Sequence, residues 1–423
     1  MSKLDGRYAA KGSRRGRSKF TERSTASWGI RAALAIGLAI AGSVGTSNSL
    51  ARVIKRVDPA RALALAPTDG IILAAYAQDA FSKKPEKDTN SSPAILADRA
   101  VLADPTAAEA LTVLGSQAQL RGDAKRAARI FYYSTLISRR ELRPQLWAIE
   151  EAVTRGDIAG ALRNYDIALR TSNDAERILF PTLVAGLAEP KIRAALQPIL
   201  ATDPVWGDRF VAFAANSGVE PEGTIALFQE GQGTRLDQDE NLRASLVNSL
   251  VAQGKQNEAW DYYRSFHPNA RRDESRDPFF AVEARVRAVF DWQAASDPRI
   301  SAAILRQRNN VGVLDFSVPP SVSGELVRQG QLLPAGRYRI EGTSEGIDQK
   351  EDSRPYWLLT CEDGRSLGRV QLSNSEENGG RFFGHFIVPH DCKAQTLSLI
   401  ARSTDDIMGI NGQIISAKLV SER

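Results

Sequence analysis

The side chains that could do covalent or metal chemistry are few. The chain has two cysteines, Cys361 and Cys392, and three histidines, His267, His385 and His390. A catalytic thiol or hydroxyl needs a base beside it, and a zinc site needs three or four closely grouped ligands. Neither pattern is present: the histidines are scattered and no nucleophile-elbow motif accompanies them. Carboxylates are plentiful, among them Glu325, Glu341, Glu345, Asp348, Glu351, Asp352, Glu362 and Asp363, but most lie in polar turns where a solvated charge is expected. A glycosidase would need two carboxylates facing one cleft. Asp291 and the pair Asp405-Asp406 do not form a metal-binding loop. Neither a GxxxxGK[ST] phosphate loop nor a dinucleotide glycine fingerprint occurs. The sequence therefore assigns no catalytic residue, no metal and no cofactor, and the expectation is a protein that is not an enzyme.

The elements that would position any site begin with an address. Residues 32–51 contain no charge and are mostly apolar. A bilayer-spanning helix needs about 20 such residues, and this stretch reaches that length only with its polar end included. Ahead of it, Lys3, Arg7, Lys11, Arg14, Arg15, Arg17, Lys19, Arg23 and Arg31 face only Asp5 and Glu22, a local charge of +7. Basic flanks stay on the cytoplasmic side, so the body is expected outside. Ala39-Ile40-Ala41 before Gly42 also offers a small-residue cleavage site. The long basic region and the apolar residues beyond that site favour an uncleaved anchor.

This placement changes what the bulk numbers mean. The whole chain carries +5, so the residues after Arg31 carry −2 and leave no basic footprint for nucleic acid. In an oxidising compartment two cysteines in one small domain read as a disulfide, Cys361–Cys392.

Residues 52–266 are rich in Ala, Leu, Arg and Glu, with apolar residues at helical spacing. Gly122, Ala127 and Phe131 recur 34 positions later as Gly156, Ala161 and Tyr165, and the same internal spacing returns at Gly254, Ala259 and Tyr263. A helix-turn-helix unit needs a glycine where φ is positive, a small residue where the helices touch and an aromatic to fill the next groove. With Leu114-Gly115, Ala118, Ser134 and Ala168 in supporting positions, the pattern resembles the tetratricopeptide repeat. Ile149 stands where the second unit should have glycine, Pro190 replaces a turn glycine, and residues 177–234 fit loosely. The resemblance implies stacked helix pairs that expose a concave face for protein or peptide partners, and no catalysis.

Residues 267–289 read as a charged joint followed by a helix at 278–289. After residue 309 the pattern turns to short β-prone runs, expected at 311–316, 321–328, 336–342, 356–362, 367–372, 381–388, 396–402 and 412–420. Eight short strands indicate an antiparallel β-sandwich, jelly-roll-like, over residues 290–423. Phe382, Phe386 and Val388 share one strand face and Phe383 and Ile387 the other. Trp357 and Cys361 point the same way, which places Trp357 in the core beside the bridge. Sugars are held by flat aromatic faces flanked by hydrogen-bonding groups, for which the candidates are Tyr338, Tyr356, Phe383 and His385 with Arg337 and Arg381.

The expected fold class is thus multidomain, α plus all-β: a basic cytoplasmic tail (1–31), a transmembrane helix (32–51), a tetratricopeptide-like α-solenoid (52–266), a joint (267–289) and a sandwich (290–423). The layout is similar to periplasmic helical-repeat proteins that accompany bacterial exopolysaccharide synthesis and export. That similarity implies an inner-membrane scaffold with protein partners. The rival expectations are a carbohydrate-binding protein acting through the sandwich and an envelope protein assembly factor.

Overall fold

The computed structural model describes residues 25–231, 239–282, 285–306 and 311–422. Most of the basic tail, Lys3 to Arg23, lies outside the described residues. The chain divides into two compact units, one ending at Pro144 and one beginning at Gln145.

The first unit is helical: α1 (Thr25–Ile54), α2 (Pro59–Leu65), α3 (Gly70–Lys83), α4 (Ser92–Ala103), α5 (Ala108–Leu120) and α6 (Ala124–Ile137). Aspartates start several of them. The Asp58 side chain accepts from Arg61 N, Asp69 from Ile71 N and Ile72 N, and Asp123 from Arg126 N, each satisfying a backbone donor left free in a first helical turn. Helix α1 is longer than the apolar stretch suggested. Its side chains are exposed from Trp28 to Thr46, then become packed: Ser47 Oγ donates to Leu65 O at 2.7 Å, and Ala51 is fully buried with Ala62, Ala66 and Ile72. Helices α3 to α5 meet through Ala74, Ala77, Ala97, Ala100 and Ala110, whose small side chains allow close helix approach.

Helix α7 (Leu142–Thr154) crosses the division. The second unit continues with α8 (Ile158–Thr171), α9 (Ala175–Ala185), α10 (Pro190–Leu200), α11 (Gly207–Ser217), α12 (Pro221–Glu230), α13 (Glu240–Ala252) and α14 (Gln256–Phe266). The three repeat glycines occupy one geometry. Gly122, Gly156 and Gly254 have φ of +80°, +70° and +76°. At each, the glycine N–H bonds the carbonyl three residues back, and the next N–H bonds the carbonyl five back, the Schellman arrangement that ends a helix. The residue after the glycine then starts the next helix, with Asp123 and Asp157 as side-chain caps. Ala127, Ala161 and Ala259 are buried at the helix contact, and Phe131, Tyr165 and Tyr263 are buried one turn on. Gly115 has a purpose of its own: a Cβ there would lie 2.6 Å from the Phe131 ring. In the looser stretch, Pro190 begins α10 instead of closing a turn, and Pro181 and Pro198 lie inside helices.

The β domain has ten strands among the described residues, two more than the sequence pattern indicates. They are β1 (Gln293–Ala294), β2 (Ser301–Arg306), β3 (Gly312–Val318), β4 (Gly324–Gln331), β5 (Gly336–Glu345), β6 (Tyr356–Cys361), β7 (Ser366–Gln371), β8 (Arg381–Val388), β9 (Gln395–Ala401) and β10 (Ile410–Ser421). Two antiparallel sheets run β1-β4-β9-β6-β7 and β2-β3-β10-β5-β8. Strand 3 pairs with 10, 4 with 9, 5 with 8 and 6 with 7, the folded ribbon of a jelly roll. The extra strands β1 and β2 lengthen the edges. In strand β2, Ser-Ala-Ala-Ile-Leu-Arg, Ala302 and Ile304 pack on the core, but the unbroken apolar run 302–305 hides that alternation in the sequence. Between the sheets lie Trp292, Trp357, Phe316, Phe382, Phe386 and Leu399, with Trp357 5.7 Å from Trp292 and 6.3 Å from Phe382. Cys361 and Cys392 are bonded, with Cα atoms 5.8 Å apart.

The helix expected at 278–289 is a correction: among the described residues of that segment none is helical. Side chains satisfy its backbone instead. Asp277 accepts from Ala281 N and Val282 N, and Asn241 accepts from Val286 N. Asn248 accepts from Val289 N and donates to Arg287 O, so α13 holds the segment stretched along itself. Just before it, Ser275 exchanges two bonds of 2.8 Å with Leu419 of β10.

Two stability measurements follow. Ser134 is fully buried and its Oγ has no hydrogen-bond partner, whereas the matching residue one unit on is Ala168. Removing an unsatisfied buried hydroxyl should stabilise by about 1 kcal/mol, so Ser134→Ala should raise the urea midpoint, and a lowered midpoint would contradict the packing described. The Cys361→Ser, Cys392→Ser double variant opens a loop of sequence separation 31 and should lose about 3–4 kcal/mol in the same titration.

Candidate functional site

The outer face of the β2-β3-β10-β5-β8 sheet gathers most of the proposed contact residues. Along the edge strand β8, the even-numbered Phe382, Phe386 and Val388 point into the core, so Arg381, Phe383, His385 and Ile387 point outward. Phe383 is 73% exposed and Ile387 63%. Register places Arg337 opposite Ile387, Arg339 opposite His385, Glu341 opposite Phe383 and Thr343 opposite Arg381. Arg339, Glu341, Thr343, Arg381 and Phe383 line a shallow groove of about 490 Å3. The face is close to charge balance. Arg339 pairs with Glu341 at 2.9 Å, His385 Nδ1 lies 3.0 Å from Glu422, Arg337 lies 3.7 Å from Glu422, and Lys418 lies 3.6 Å from Glu274.

Two of the proposed contacts are elsewhere. Tyr338 is 2% exposed and faces the core, because a strand cannot present Tyr338 on the same side as Arg337 and Arg339. Its hydroxyl donates to Pro334 O at 2.8 Å, and burial pushes its pKa up to about 12. Tyr356 belongs to the other sheet, on β6. The guanidinium groups of Arg369 and Arg402 lie 4.5 and 4.8 Å from its ring centroid, so a stacking ligand would compete with them. The structure therefore brings together Arg337, Phe383, His385 and Arg381 and separates Tyr338 and Tyr356 from them.

A second constellation escaped the sequence reading as a unit. Tyr263, Arg276 and Asp291 meet in the interior beside His267. The Tyr263 hydroxyl donates to Asp291 Oδ1 at 2.7 Å, and Arg276 Nη1 reaches the same oxygen at 2.6 Å. Ala288 N donates to Asp291 Oδ2, and Arg276 Nη2 lies 3.0 Å from His267 Nδ1. Arginine can only donate, so His267 Nδ1 accepts and the ring proton sits on Nε2. Burial raises the Asp291 pKa, opposed mainly by the Arg276 charge, and burial lowers that of His267. Next to this knot is a cavity of about 370 Å3 lined by residues of the 266–278 segment and Lys418. In the sequence Tyr263 stands out as a repeat landmark, while His267 and Asp291 appear only as isolated polar residues. Among the described residues no three His, Cys, Asp or Glu side chains group as a metal site would require.

No family model and no curated protein matches the chain. Among solved structures, one similarity is to the Glycosylation Associate Protein (Gap123) complex from Streptococcus agalactiae, at 15% identity over 30% of this chain and 41% of that one, TM-score 0.21. Another is to accessory secretory protein 1, 2 and 3 of Streptococcus pneumoniae, at 12% identity over 30% of this chain and 89% of that one, TM-score 0.21. A third is to Pseudomonas aeruginosa pilF, at 14% identity over 54% of this chain and 94% of that one, TM-score 0.25. The chain thus spans less than half of the Gap123 chain it matches. At these scores the similarities carry no argument about function.

The His267 contact fixes a pH dependence. A folded pKa below the free value of 6.5 means stability that is complete above about pH 6.5 and is lost as pH falls through that value toward the folded pKa. Asp291, with its raised pKa, acts in the opposite sense, so the histidine contribution must be isolated. Urea unfolding at pH 7.5 and 5.5 should show wild type losing more stability on acidification than His267→Gln; equal losses would place His267 outside the knot's energetics.

Proposed function

We propose that this protein is a non-catalytic scaffold held on the outer side of the bacterial inner membrane. In this reading the basic tail is cytoplasmic, α1 crosses the bilayer, and the helical pairs and jelly roll stand in the periplasm. The observation that carries it is α1. Trp28 to Thr46 span about 28 Å at 1.5 Å per residue, against a hydrocarbon core of about 30 Å. Their large side chains, such as Leu38 at 73% exposure, are covered by no part of the described chain. The Cys361–Cys392 bond suits an oxidising compartment.

The helical pairs supply surfaces for other proteins, and the service that best fits an anchored body of this layout is the organisation of envelope or exopolysaccharide synthesis and export machinery. A second reading, glycan binding by the jelly roll, draws on the exposed Phe383 beside Arg381, Arg339 and His385. It is the weaker reading, because Arg337, Arg339 and His385 are already engaged by Glu341 and Glu422.

A reporter fused after Arg423 should be active if it requires the periplasm and dark if it fluoresces only in the cytoplasm. The opposite result would refute the topology. In the same strain, crosslinked partner proteins should be lost with Ala127→Arg, which forces a charge between packed helices, and kept with Phe383→Ser and Arg381→Ser. The reverse pattern would favour the jelly roll as the working surface.

A further inference from the structure

Among the described residues of the first unit, helix α6 carries a cluster of uncompensated positive charge. Lys125, Arg129, Tyr132, Tyr133 and Leu136 fall within an arc of about 100° at 3.6 residues per turn, opposite the buried Ala127, Phe131 and Ser134. All five are exposed, with Tyr132 at 63%, Tyr133 at 44% and Leu136 at 66%. Arg126 flanks the arc. Lys125, Arg126 and Arg129 have no carboxylate partner among the described residues, unlike Arg337 and Arg339 of β5. Helix stability does not explain these cations. The first turn of α6 has no acidic residue, and cations there oppose the helix dipole. Nor does the hairpin need them, since its packing uses the other side of the helix.

We infer that this face of α6 is a docking surface for an acidic segment of a partner protein, one with a cluster of carboxylates followed by apolar side chains. The inference rests on the scaffold reading and names the partner chemistry. Two features select a protein segment over other anions. The cations and the apolar residues are separated along the helix, cations in its first half and Tyr132, Tyr133 and Leu136 in its second. A partner must therefore offer charge at one end and apolar side chains about 10 Å away, the rise over the seven-residue step from Arg129 to Leu136. The apolar part runs over only five residues, about one turn, which is short for seating a helix in a lipid interface. A hydrated polysaccharide would have no use for Leu136.

The test uses the full chain in detergent and a fluorescein-labelled peptide of three glutamates followed by a helix with leucines four apart. Fluorescence anisotropy should show saturable binding that weakens as salt rises. Lys125→Glu with Arg126→Glu and Arg129→Glu should weaken it at least tenfold. Those changes suit the helix dipole, so the variant should fold as well as wild type, and circular dichroism checks this. Tyr132→Ser with Leu136→Ser should weaken binding severalfold for this peptide but not for one whose leucines are serines. Lys191→Glu, an exposed change on α10, should leave it unaltered. The basic tail is common to every variant, so the difference reads α6 alone. Equal affinity of the triple variant and wild type would overturn the inference. So would dextran sulfate, or vesicles containing phosphatidylglycerol, binding through these residues while the peptide does not. The titration does not depend on which side of a membrane the body occupies, so its failure would leave the topology standing, and a failed topology would leave this surface standing.

Discussion

The second unit depends on one buried ion pair. Asp291 and Arg276 meet at 2.6 Å with side chains 8% and 21% exposed, and Tyr263 shares the carboxylate. Removing one partner of such a pair leaves a charge in a poorly solvated site, typically a loss of about 3–5 kcal/mol. The pair also explains the path of the chain. Arg276 follows the segment that bonds to β10, Asp291 precedes Trp292 in the jelly-roll core, and Tyr263 sits on α14. A single carboxylate thereby ties the last helix pair to the β domain. The intervening residues need no helix of their own, because Asp277, Asn241 and Asn248 satisfy their backbone.

How much of this was legible in the sequence varied with the range of the interaction that decided it. The repeat glycines were legible because a positive φ is a local demand that few other residues meet, and Gly122, Gly156 and Gly254 meet it in the same way. The eight main strands were legible through alternation and turn residues. The joint was misread as helix because Ala281, Val282, Val286 and Val289 have helix-compatible spacing, while the partners that stretch the segment lie some 40 residues away on α13. Short-range patterns cannot register a competitor at that distance.

The contact residues failed for a related reason. Strand parity is a strict constraint: with Arg337 outside, Tyr338 had to be inside, and the alternation at β5 carried that information. Which sheet a strand joins is not written in its own residues. Tyr356 faces outward as its parity requires, but β6 joins the sheet opposite β8, and Arg369 and Arg402 reach it only through the strands beside it. The buried knot at Asp291 was invisible for the same cause, being assembled from four side chains spread over residues 263–291.

Helix α1 enters the first unit without a break, its last two turns held by Ser47, Ala51 and Ile54 against α2 and α3. Such a joint behaves as a shaft and not as a tether. A flexible linker would let the body tumble freely at the end of its leash, whereas here a tilt of residues 28–46 passes along one continuous helix to the helices packed on its other end. Whatever grips that exposed segment therefore sets the aim of the surfaces beyond it.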